Sequence, residues 1–516
     1  MSQLVKTYGC ALTGLKTTLV TVEVILYGGT RDIIVVGLPD NAVKESKERI
    51  EAAMHHSGLE FPKGRTVINL APADIRKEGS AYDLTIAMGM LGAKGVIPEE
   101  VLAESLIMGE LSLDGTLKPI KGALPIAMEA RRLGLKQFLL PVENAGEAAI
   151  VNNLHVIPVG SIREAVDHLR GTMLLQPLVL ETRDIFAYNQ DKFPVDFADV
   201  KGQENVKRAL EVAAAGGHNV LMIGPPGAGK SMLAKRMATI LPPLTLQEAL
   251  ETTKIYSVAG KLQRESGLVA RRPFRAPHHT ISDVALVGGG LNASPGEISL
   301  AHNGILFLDE LPEFKRTVLE VLRQPLEERT ITISRARFSV EYPAALMLVS
   351  SMNPCPCGYY NHPERQCVCT PATIQKYLSR ISGPLLDRID LHVEVTPVPF
   401  DELASRQAYA ESSATIRERV SRAREVQLAR YADTPEVYNN SLMPPQLVER
   451  YCVLDKPSEA LLKVAMQRLN LSARAYTRIL KVARTIADLA GSEPLRPEHV
   501  AEAIQYRNLD RETWGN

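Results

Sequence analysis

Apolar and polar positions in the first third of the chain form short strand-like blocks separated by longer blocks with helical spacing. The strand-like runs are VTVEVILY at 20–27, DIIVVG at 32–37, TVINL at 66–70 and SLIMGELSL at 105–113. The helical runs are VKESKERIEAAMH, AYDLTIAMGML, ALPIAMEARRLG and SIREAVDHLRG. Asp40, Asn41 and Ser161 are suited to cap helices, and Asp114-Gly115 to form a hairpin turn. Residues 1–175 are therefore predicted to form one α/β domain.

The rest of the chain divides into three further segments. Residues 176–198 lack clear periodicity and are predicted to form a linker. Residues 199–399 contain the strand-like runs HNVLMIG, ILFLDE and ALMLVSS, which predict a second α/β domain. From 400 to 516 the pattern is helical, punctuated by Pro435, Pro444, Pro445 and Gly491. The predicted fold is thus two α/β domains followed by an all-α region.

Composition narrows the class of protein without identifying its partner. The 516 residues are 45% hydrophobic and 23% charged with a formal net charge of zero, so any DNA-binding surface has to be a local patch. No run approaches the roughly 20 apolar residues that span a bilayer, and the N-terminus lacks the order of a signal peptide. Four of the six cysteines crowd between Cys355 and Cys369, which is not a disulfide framework. We expect a cytoplasmic protein without a membrane partner.

The glycine-rich run after HNVLMI carries the clearest chemical signal. It fits G-x-x-x-x-G-K-[ST] and consists of Gly224, Pro225, Pro226, Gly227, Ala228, Gly229, Lys230 and Ser231. Glycines let backbone N–H groups close around phosphates, and the helix N-terminus adds a favourable dipole. Lys230 is expected to reach the β and γ phosphates of ATP, and Ser231 to ligate Mg²⁺. A chance glycine-rich turn would not explain the flanking strand and helix patterns.

Two later strand patterns end in polar residues that complete such a site. Asp309 and Glu310 follow ILFL, and Asn353 ends ALMLVSSMN. Asp309 is expected to hold the Mg²⁺ shell and Glu310 to orient and deprotonate the attacking water. Asn353 is expected to lie between the other two strands and to position that water. The alternatives are a surface acid pair and an ordinary turn asparagine.

Arginines late in the chain are candidates for stabilising charge on a neighbouring subunit's γ-phosphate. Arg388 lies in GPLLDRIDLHVEV, and Arg474 starts the helix pattern of LSARAYTRILKVARTIADLAG. We expect Arg388 to act in trans. Either residue could instead form a surface ion pair. Arg380, Arg478 and Arg484 are rival candidates.

In this order the motifs resemble those of AAA+ ATPases. The passages RPFRAPHHTIS, GGGLNASPGEISLAHNGILFLDELPEF, LRQPLEERTITISRA and NPCPCGYY are similar to magnesium-chelatase-like AAA+ proteins, and the whole chain resembles their ComM/YifB family. The resemblance implies a homohexameric ring that binds single-stranded or branched DNA and drives branch migration in recombination and natural transformation, alongside recombination proteins. It also places Gln203 near the adenine and gives Arg474 the sensor 2 role in a helical lid. A chelatase motor acting on a protein or tetrapyrrole substrate is the alternative function.

Basic residues in two segments are candidates for contacting DNA. Those before the acid pair lie beside His278 and His279, and those after it lie in the hairpin-like stretch ERTITISRARFSVEYP. The candidates are Lys261, Arg264, Arg271, Arg272, Arg275, Arg329, Arg335 and Arg337. Six subunits would line an axial channel with positive charge that follows the DNA backbone without reading sequence. A solvated charged surface or a subunit interface would use the same residues.

The cysteine cluster has the composition of a zinc site. Cys355-x-Cys357 is followed nine residues later by Cys367-x-Cys369, so four thiols can close tetrahedrally on Zn²⁺. The C-x-C spacing is tighter than the usual C-x-x-C, and His362 is an alternative ligand. Reduced or redox-labile thiols are the other interpretation. Cys10 and Cys452 are expected to be buried as small apolar residues.

The first domain resembles the proteolytic domain of Lon proteases, which has the ribosomal S5 domain 2-like fold, in NLAPADIRKEGSAYDLTIA and GTLKPIKGALPIAMEAR. That family uses a serine activated by a lysine. Ala81 falls at the serine position and Leu124 at the lysine position, so the domain is expected to be non-proteolytic. A shifted register with Ser80 and Lys121 would restore a dyad. An ATP-dependent protease is therefore the second alternative function.

Overall fold

The computed structural model describes residues 4–190, 192–262, 267–290, 293–335, 338–362, 364–399, 410–469 and 471–507. Its strands, in chain order, are β1 Leu4–Thr13, β2 Lys16–Tyr27, β3 Asp32–Val36, β4 Arg65–Ala71, β5 Ser105–Ile107, β6 Glu110–Leu111, β7 Leu117–Lys118, β8 Gln137–Pro141, β9 His155–Val159, β10 Val220–Ile223, β11 Phe274–Arg275, β12 Gly288–Gly289, β13 Ser294–Pro295, β14 Ile305–Leu308, β15 Thr330–Arg335, β16 Phe338–Pro343, β17 Met347–Met352 and β18 Leu391–Glu394.

The helices in the same part of the chain are α1 Asn41–His56, α2 Asp83–Ala93, α3 Glu99–Ala103, α4 Ala123–Arg132, α5 Val142–Ala148, α6 Ile162–Leu169, α7 Thr182–Gln190, α8 Glu204–Gly216, α9 Lys230–Ile240, α10 Leu246–Ala259, α11 Asp283–Val287, α12 Glu297–Leu300, α13 Arg316–Glu320, α14 Arg323–Glu328, α15 Pro371–Leu378, α16 Gly383–Leu386, α17 Ser413–Arg430, α18 Pro445–Tyr451, α19 Lys456–Arg468, α20 Ala473–Leu489 and α21 Pro497–Gln505. None of these helices combines the length and apolar character needed to cross a bilayer.

Internal contacts divide the chain into two compact units, which are described separately. Unit 1 comprises Met1–Asn189, Leu246–Ala270 and Leu291–Pro295. Unit 2 comprises Gln190–Thr245, Arg271–Gly290 and Gly296–Asn516. The first unit thus includes α10, which the sequence pattern places in the range 199–399. Helix α7 lies within the range 176–198 that the pattern interprets as a linker, where nine mostly polar residues give little periodic signal.

Unit 1 is built on a seven-stranded mixed sheet with the order β3-β4-β2-β1-β5-β8-β9. The alternation in β2 buries Val20, Val22 and Val24 completely, and α2 and α4 pack on this part of the sheet. The predicted strands and helices of this region are confirmed. The run SLIMGELSL divides into β5 and β6, because β6 turns to pair with β7 in a hairpin around Gly115.

The helix starts in unit 1 follow the capping residues read from the sequence. Asp40 caps α1 by accepting a hydrogen bond from the Val43 N–H at 2.8 Å, and Ser161 caps α6 by accepting from the Glu164 N–H. Asn41 is the first residue of α1 rather than its cap. Helix α10 packs beside α4, where the Gly122 N–H donates to the Ser257 carbonyl at 3.1 Å.

Unit 2 contains a five-stranded sheet with the order β11-β14-β17-β10-β18, and every adjacent pair is parallel. Strands β10, β14 and β17 are buried at every position, which explains their continuous apolar runs. β15 and β16 form the predicted antiparallel hairpin. Helices α17 to α21 confirm the all-α C-terminal region, with α17 packed on α8 and α9 and α20 packed on α8.

A buried polar network joins the amino-terminal edge of this sheet to α20. Asp390, just before β18, accepts from the Asn219 N–H at 2.9 Å and from the Arg478 guanidinium. His218 lies 3.6 Å from the same carboxylate and shares a 2.8 Å hydrogen bond with Thr485. Burial alone would raise the pKa of Asp390, but the charge of Arg478 and the His218 contact hold it far below its ordinary value.

Asp390→Asn is expected to lower the free energy of unfolding of unit 2 by about 3 kcal/mol, because the partly buried Arg478 loses its carboxylate. The folded pKa of Asp390 is lowered, so its stabilisation is present above the ordinary aspartate pKa and is lost as pH falls. The gap between wild type and variant should therefore shrink below about pH 4 in calorimetric unfolding. Asp387→Asn, which removes only an exposed 3.9 Å contact with Arg474, is the control. Equal effects of the two variants would contradict the assignment.

Candidate nucleotide-binding site

The glycine-rich loop joins the carboxyl end of β10 to the N-terminus of α9. Gly227 and Gly229 have left-handed backbone angles, with φ of +81° and +88°. A Cβ on Gly224 would lie 2.2 Å from the Val395 carbonyl oxygen, so only glycine allows the close approach to the chain after β18. Helix α9 begins at Lys230 with its N-terminus facing the loop. The strand, loop and helix predicted around the motif are confirmed.

Lys230 is buried within this loop. Its Nζ donates to the carbonyls of Gly224 and Pro225 at 2.6 and 2.9 Å and to Asn353 Oδ1 at 3.1 Å. Burial lowers the pKa of Lys230, and the nearby charges of Asp309 and Glu310 act in the opposite direction. The structure therefore brings Lys230 and Asn353 together, with the ammonium on neutral oxygens.

Asp309 stands between two hydroxyl groups at the end of β14. Its Oδ2 accepts from Ser231 Oγ at 2.6 Å, and its Oδ1 accepts from Ser351 Oγ. Oxygen ligands of this kind suit Mg²⁺, so the pair Ser231 and Asp309 fits the predicted metal site. The sequence reading missed Ser351, although its place two residues before Asn353 on a strand of the same sheet was a usable signal.

Glu310 follows in a left-handed conformation, with φ of +54°, and its N–H contacts Asp309 Oδ1 at 3.1 Å. Its exposed carboxylate lies 3.6 Å from His279 Nδ1, and the His279 ring packs at 4.1 Å from that of His278. The sequence reading noted these histidines only as neighbours of a basic segment. Their adjacency to a catalytic candidate depends on β11 lying beside β14, which residue patterns did not reveal.

Gln203, which the family resemblance places near the adenine, lies at the side of the loop. Its Nε2 donates to the Ala228 and Thr396 carbonyls, both at 2.9 Å, which fixes the side-chain amide. Its Oε1 is buried and has no hydrogen-bond partner among the described residues. An adenine amino group is a donor that would satisfy this oxygen, whereas guanine presents a carbonyl at that position. The residues present are thus suited to ATP.

Arg388 and Arg474 lie at the opposite edge of the sheet. The Arg388 carbonyl accepts from Asn219 Nδ2 at the amino end of β10, whereas the phosphate loop leaves its carboxyl end. Four strand residues span about 13 Å, so neither arginine is placed to reach the loop of its own chain. Arg388 is buried and paired with Glu327, whose pKa it lowers, while Arg474 is exposed and 3.9 Å from Asp387.

The rival arginines all have internal partners. Arg478 binds Asp390, Arg484 binds Asp488 at 3.0 Å, and Arg380 binds Glu313 at 2.9 Å. Arg484 is buried, so it has a structural role in the helical region. Arg380 is half exposed next to the segment that follows the acid pair.

The DNA-binding candidates differ in their surroundings. Arg275 makes a bidentate pair with Glu297 at 2.6 and 2.8 Å, and Arg272 donates to the Pro242 and Asn303 carbonyls at 2.6 and 2.9 Å. Arg271 is exposed and donates to the Lys192 carbonyl, and Arg329 is partly buried and donates to the Leu346 carbonyl at 2.7 Å. Lys261 is exposed in unit 1. Arg264, Arg337 and the Arg335 side chain lie outside the described residues.

The four clustered cysteines converge to one point. Cys355 Sγ lies 3.3 Å from Cys357 Sγ and 3.7 Å from Cys367 Sγ, and all four sulfur atoms are within 4.8 Å of one another. Tetrahedral zinc with bonds of about 2.3 Å places its sulfurs about 3.8 Å apart. His362 Nδ1 instead accepts from the backbone of Glu364 and Arg365. The arrangement is compatible with structural zinc.

The positions that correspond to a Lon dyad lack its chemistry in unit 1. Leu124 is fully buried, and Ala81 carries no nucleophile. Ser80 Oγ donates to the Glu110 carboxylate, whereas the serine of that family is activated by a lysine amine. The Lys121 side chain is exposed and its carbons lie near Gly260. Among the described contacts, the shifted pair Ser80 and Lys121 does not form.

The parallel sheet, the phosphate loop and the polar residues at its edge define a P-loop ATPase of the AAA+ class. The chain belongs to the ComM/YifB family of magnesium-chelatase-like AAA+ ATPases. Residues 196–403 match magnesium chelatase, subunit ChlI, residues 22–144 match subunit ChlI of Mg-chelatase, and residues 410–507 match the subunit ChlI C-terminal family.

Individual relatives match over nearly the whole chain. Competence protein ComM of Haemophilus influenzae is 42% identical over 507 residues, which cover 98% of this chain and 97% of ComM. YifB of Salmonella typhimurium is 42% identical over 504 residues, 97% of this chain and 96% of YifB. A Lon protease of Aster yellows witches'-broom phytoplasma is 30% identical over 171 residues, 31% of this chain and 21% of the protease. The predicted fold class is confirmed.

Gln203→Met is expected to reduce the preference for ATP over GTP by about tenfold, because it removes the buried acceptor and both carbonyl contacts at similar volume. Equilibrium binding of fluorescent, non-hydrolysable ATP and GTP analogues to both proteins measures the effect. The guanine nucleotide serves as the internal control for general damage to the phosphate loop. An unchanged preference would show that the base binds elsewhere.

Proposed function

We propose that the protein is an ATP-driven ring motor that translocates on DNA and promotes branch migration during recombination and natural transformation. The observation that carries the ATPase part is the convergence of Lys230, Asp309, Glu310 and Asn353 at one sheet edge. The similarity to a protein named for competence, ComM, supports a DNA substrate. The contacts of Ser80 in unit 1 argue against the protease alternative.

The residues at the sheet edge divide the work of hydrolysis. Mg²⁺ bound by Ser231 and Asp309 would neutralise phosphate charge. Lys230 supplies an ammonium whose present partners are neutral oxygens, so an anionic phosphate oxygen is the stronger acceptor. Glu310 provides an exposed carboxylate for taking a proton from water, and His279 lies close enough to orient it. Asn353 positions the same water.

The separation of the arginines from the phosphate loop supports assembly into a ring. A loop on one edge and arginines on the other can meet only when protomers pack head to tail, and such contacts close into rings when the rotation permits. A homohexamer is the assembly we propose. Arg388 would have to exchange Glu327 for the neighbour's nucleotide, while Arg474 is already exposed.

The hairpin of β15 and β16 is the element we propose for DNA contact. Arg335 is the last residue of β15, and Arg337 follows two residues later in the sequence. Charges at the tip of a hairpin can follow a phosphate backbone without reading bases. Lys261, Arg264 and Arg271 are further candidates, whereas the bidentate partner of Arg275 favours a structural role for that residue.

We also propose that Cys355, Cys357, Cys367 and Cys369 hold a structural Zn²⁺. The close approach of the four sulfur atoms supports this assignment.

The ATPase rate of the full chain is expected to rise when forked or four-way DNA is added. Lys230→Ala and Glu310→Gln should each reduce it by about 100-fold or more, and Glu310→Gln should retain ATP.

Arg335→Ala with Arg337→Ala should weaken DNA binding and its salt dependence, whereas Arg422→Ala, which removes an exposed ion pair, is the matched control. Junction unwinding is followed with labelled strands. No response to any DNA would contradict the motor and favour a chelatase-type substrate.

Mixing two inactive variants tests whether Arg388 acts in trans. Lys230→Ala and Arg388→Ala protomers should each be inactive alone, yet an equal mixture should restore activity at about a quarter of the interfaces. At those interfaces an intact Lys230 faces an intact Arg388 from the neighbour. The restored rate is measured after the subunits exchange. A mixture as inactive as its components, despite proven mixed rings, would place Arg388 outside the neighbour's site.

A further inference from the structure

The cysteine loop is continuous with the nucleotide site. It leaves β17 directly after Asn353, and Cys355, the first of the four thiols, is fully buried two residues later. Asn353 Oδ1 accepts from Lys230 Nζ at 3.1 Å, and the Met352 carbonyl accepts from the Gly224 N–H at 3.2 Å. A movement of the chain at Cys355 therefore acts within two residues on a side chain that contacts Lys230.

The loop also packs directly on the phosphate loop. Gly358 has φ of +84°, and its N–H donates to the Cys355 carbonyl at 2.9 Å, which closes a turn around Cys357. A Cβ on Gly358 would lie 2.5 Å from Pro226 Cδ and 2.8 Å from its Cγ. The backbone of the cysteine turn thus rests against Pro226, with no room for a side chain between them.

The second pair of cysteines leads to another contact with the same asparagine. Helix α15 begins two residues after Cys369, and the Asn353 backbone N–H lies near its Tyr377 hydroxyl, where it opposes the rise in the pKa of Tyr377 caused by burial. Both ends of the cysteine loop are therefore close to Asn353.

The described part of this segment is held by local contacts, such as the 2.7 Å hydrogen bond from Arg365 to Tyr359 Oη, rather than by regular secondary structure. Residues 354–362 and 364–370 form turns, bends and extended chain with no helix or strand. Ordering such a loop costs conformational entropy, and a cross-link between its ends removes much of that cost. The four convergent thiols are the feature that can provide the cross-link.

We propose that zinc bound by the four cysteines acts as a clip that positions Asn353 and Pro226, so that nucleotide binding depends on the metal. The four cysteines hold the metal, and Asn353, Pro226 and Gly358 are the residues through which the clip reaches the phosphate loop. The proposal rests on the ATPase site of the proposed function and is independent of the DNA substrate.

Two variants of the full chain separate the metal from its mechanical connection. Cys367→Ser with Cys369→Ser removes two ligands that lie far along the chain from Asn353 and Pro226. Gly358→Ala keeps all four thiols but adds a Cβ that would clash with the Pro226 ring. Elemental analysis should give about one zinc per chain in wild type and Gly358→Ala and almost none in the cysteine variant. Affinity for a fluorescent ATP analogue should fall about tenfold in both variants, since small misplacements at such sites have effects of this size or larger.

Glu364→Ala is the matched control, because it changes an exposed side chain of the same loop and removes neither a sulfur ligand nor the backbone contacts of His362. It should keep both zinc and nucleotide affinity. Removing zinc from wild type with a zinc-selective chelator in excess Mg²⁺ should lower the affinity, and added Zn²⁺ should restore it. This treatment starts from folded protein, so it remains decisive if the cysteine variant fails to fold.

The outcomes distinguish the clip from the motor. Wild type without zinc, or stripped protein that binds nucleotide as tightly as before, would overturn the proposal. Zinc loss together with a fall in affinity that Gly358→Ala reproduces would support it. A protein whose nucleotide affinity depends on zinc but whose ATPase ignores DNA would support the clip and contradict only the motor.

Discussion

The parallel register of three adjacent strands is the constraint on which the site depends. β17 lies between β10 and β14, with Ile223 beside Met352 and Leu308 beside Ser350. Parallel strands end at one edge, so the residues that follow each strand converge there. Asp309 is therefore level with Ser351, which explains their hydrogen bond, and Gly224 meets the Met352 carbonyl. The functional groups come together because the backbone ladder is in register.

That convergence places a buried ammonium close to two carboxylates. A buried ammonium and two adjacent carboxylates are costly unless each finds partners, and here most of the partners are neutral. Lys230 is held by carbonyls and an amide oxygen, and Asp309 by two hydroxyls. Neutral partners keep the groups oriented without cancelling their charge, so they remain available to a charged ligand. The Gln203 side chain is held in the same way, because its Nε2 donates to the neutral carbonyls of Ala228 and Thr396.

Sequence patterns predicted the elements well and the contacts between distant elements poorly. The glycine-rich motif, the apolar runs before Asp309 and Asn353, and the caps Asp40 and Ser161 are local signals, and each corresponds to the expected element. His279 beside Glu310 and Arg275 on Glu297 depend on β11 pairing with β14 and on the loop that follows. The packing of α10 within unit 1 is likewise tertiary. Periodicity identifies which face is buried, but not the element that covers it.

The charged residues near the amino-terminal edge of the unit 2 sheet would affect when an arginine contacts the nucleotide of a neighbouring subunit. Arg388 lowers the pKa of Glu327, and Arg474 adds to that effect, so the carboxylate stays ionised and competes for both arginines. A neighbour's phosphates offer more negative charge than one carboxylate and would draw the arginines away from it. After hydrolysis and phosphate release, Glu327 would regain its advantage. In the proposed ring, Glu327 would thus compete with the neighbour's phosphates for Arg388, its ion-pair partner.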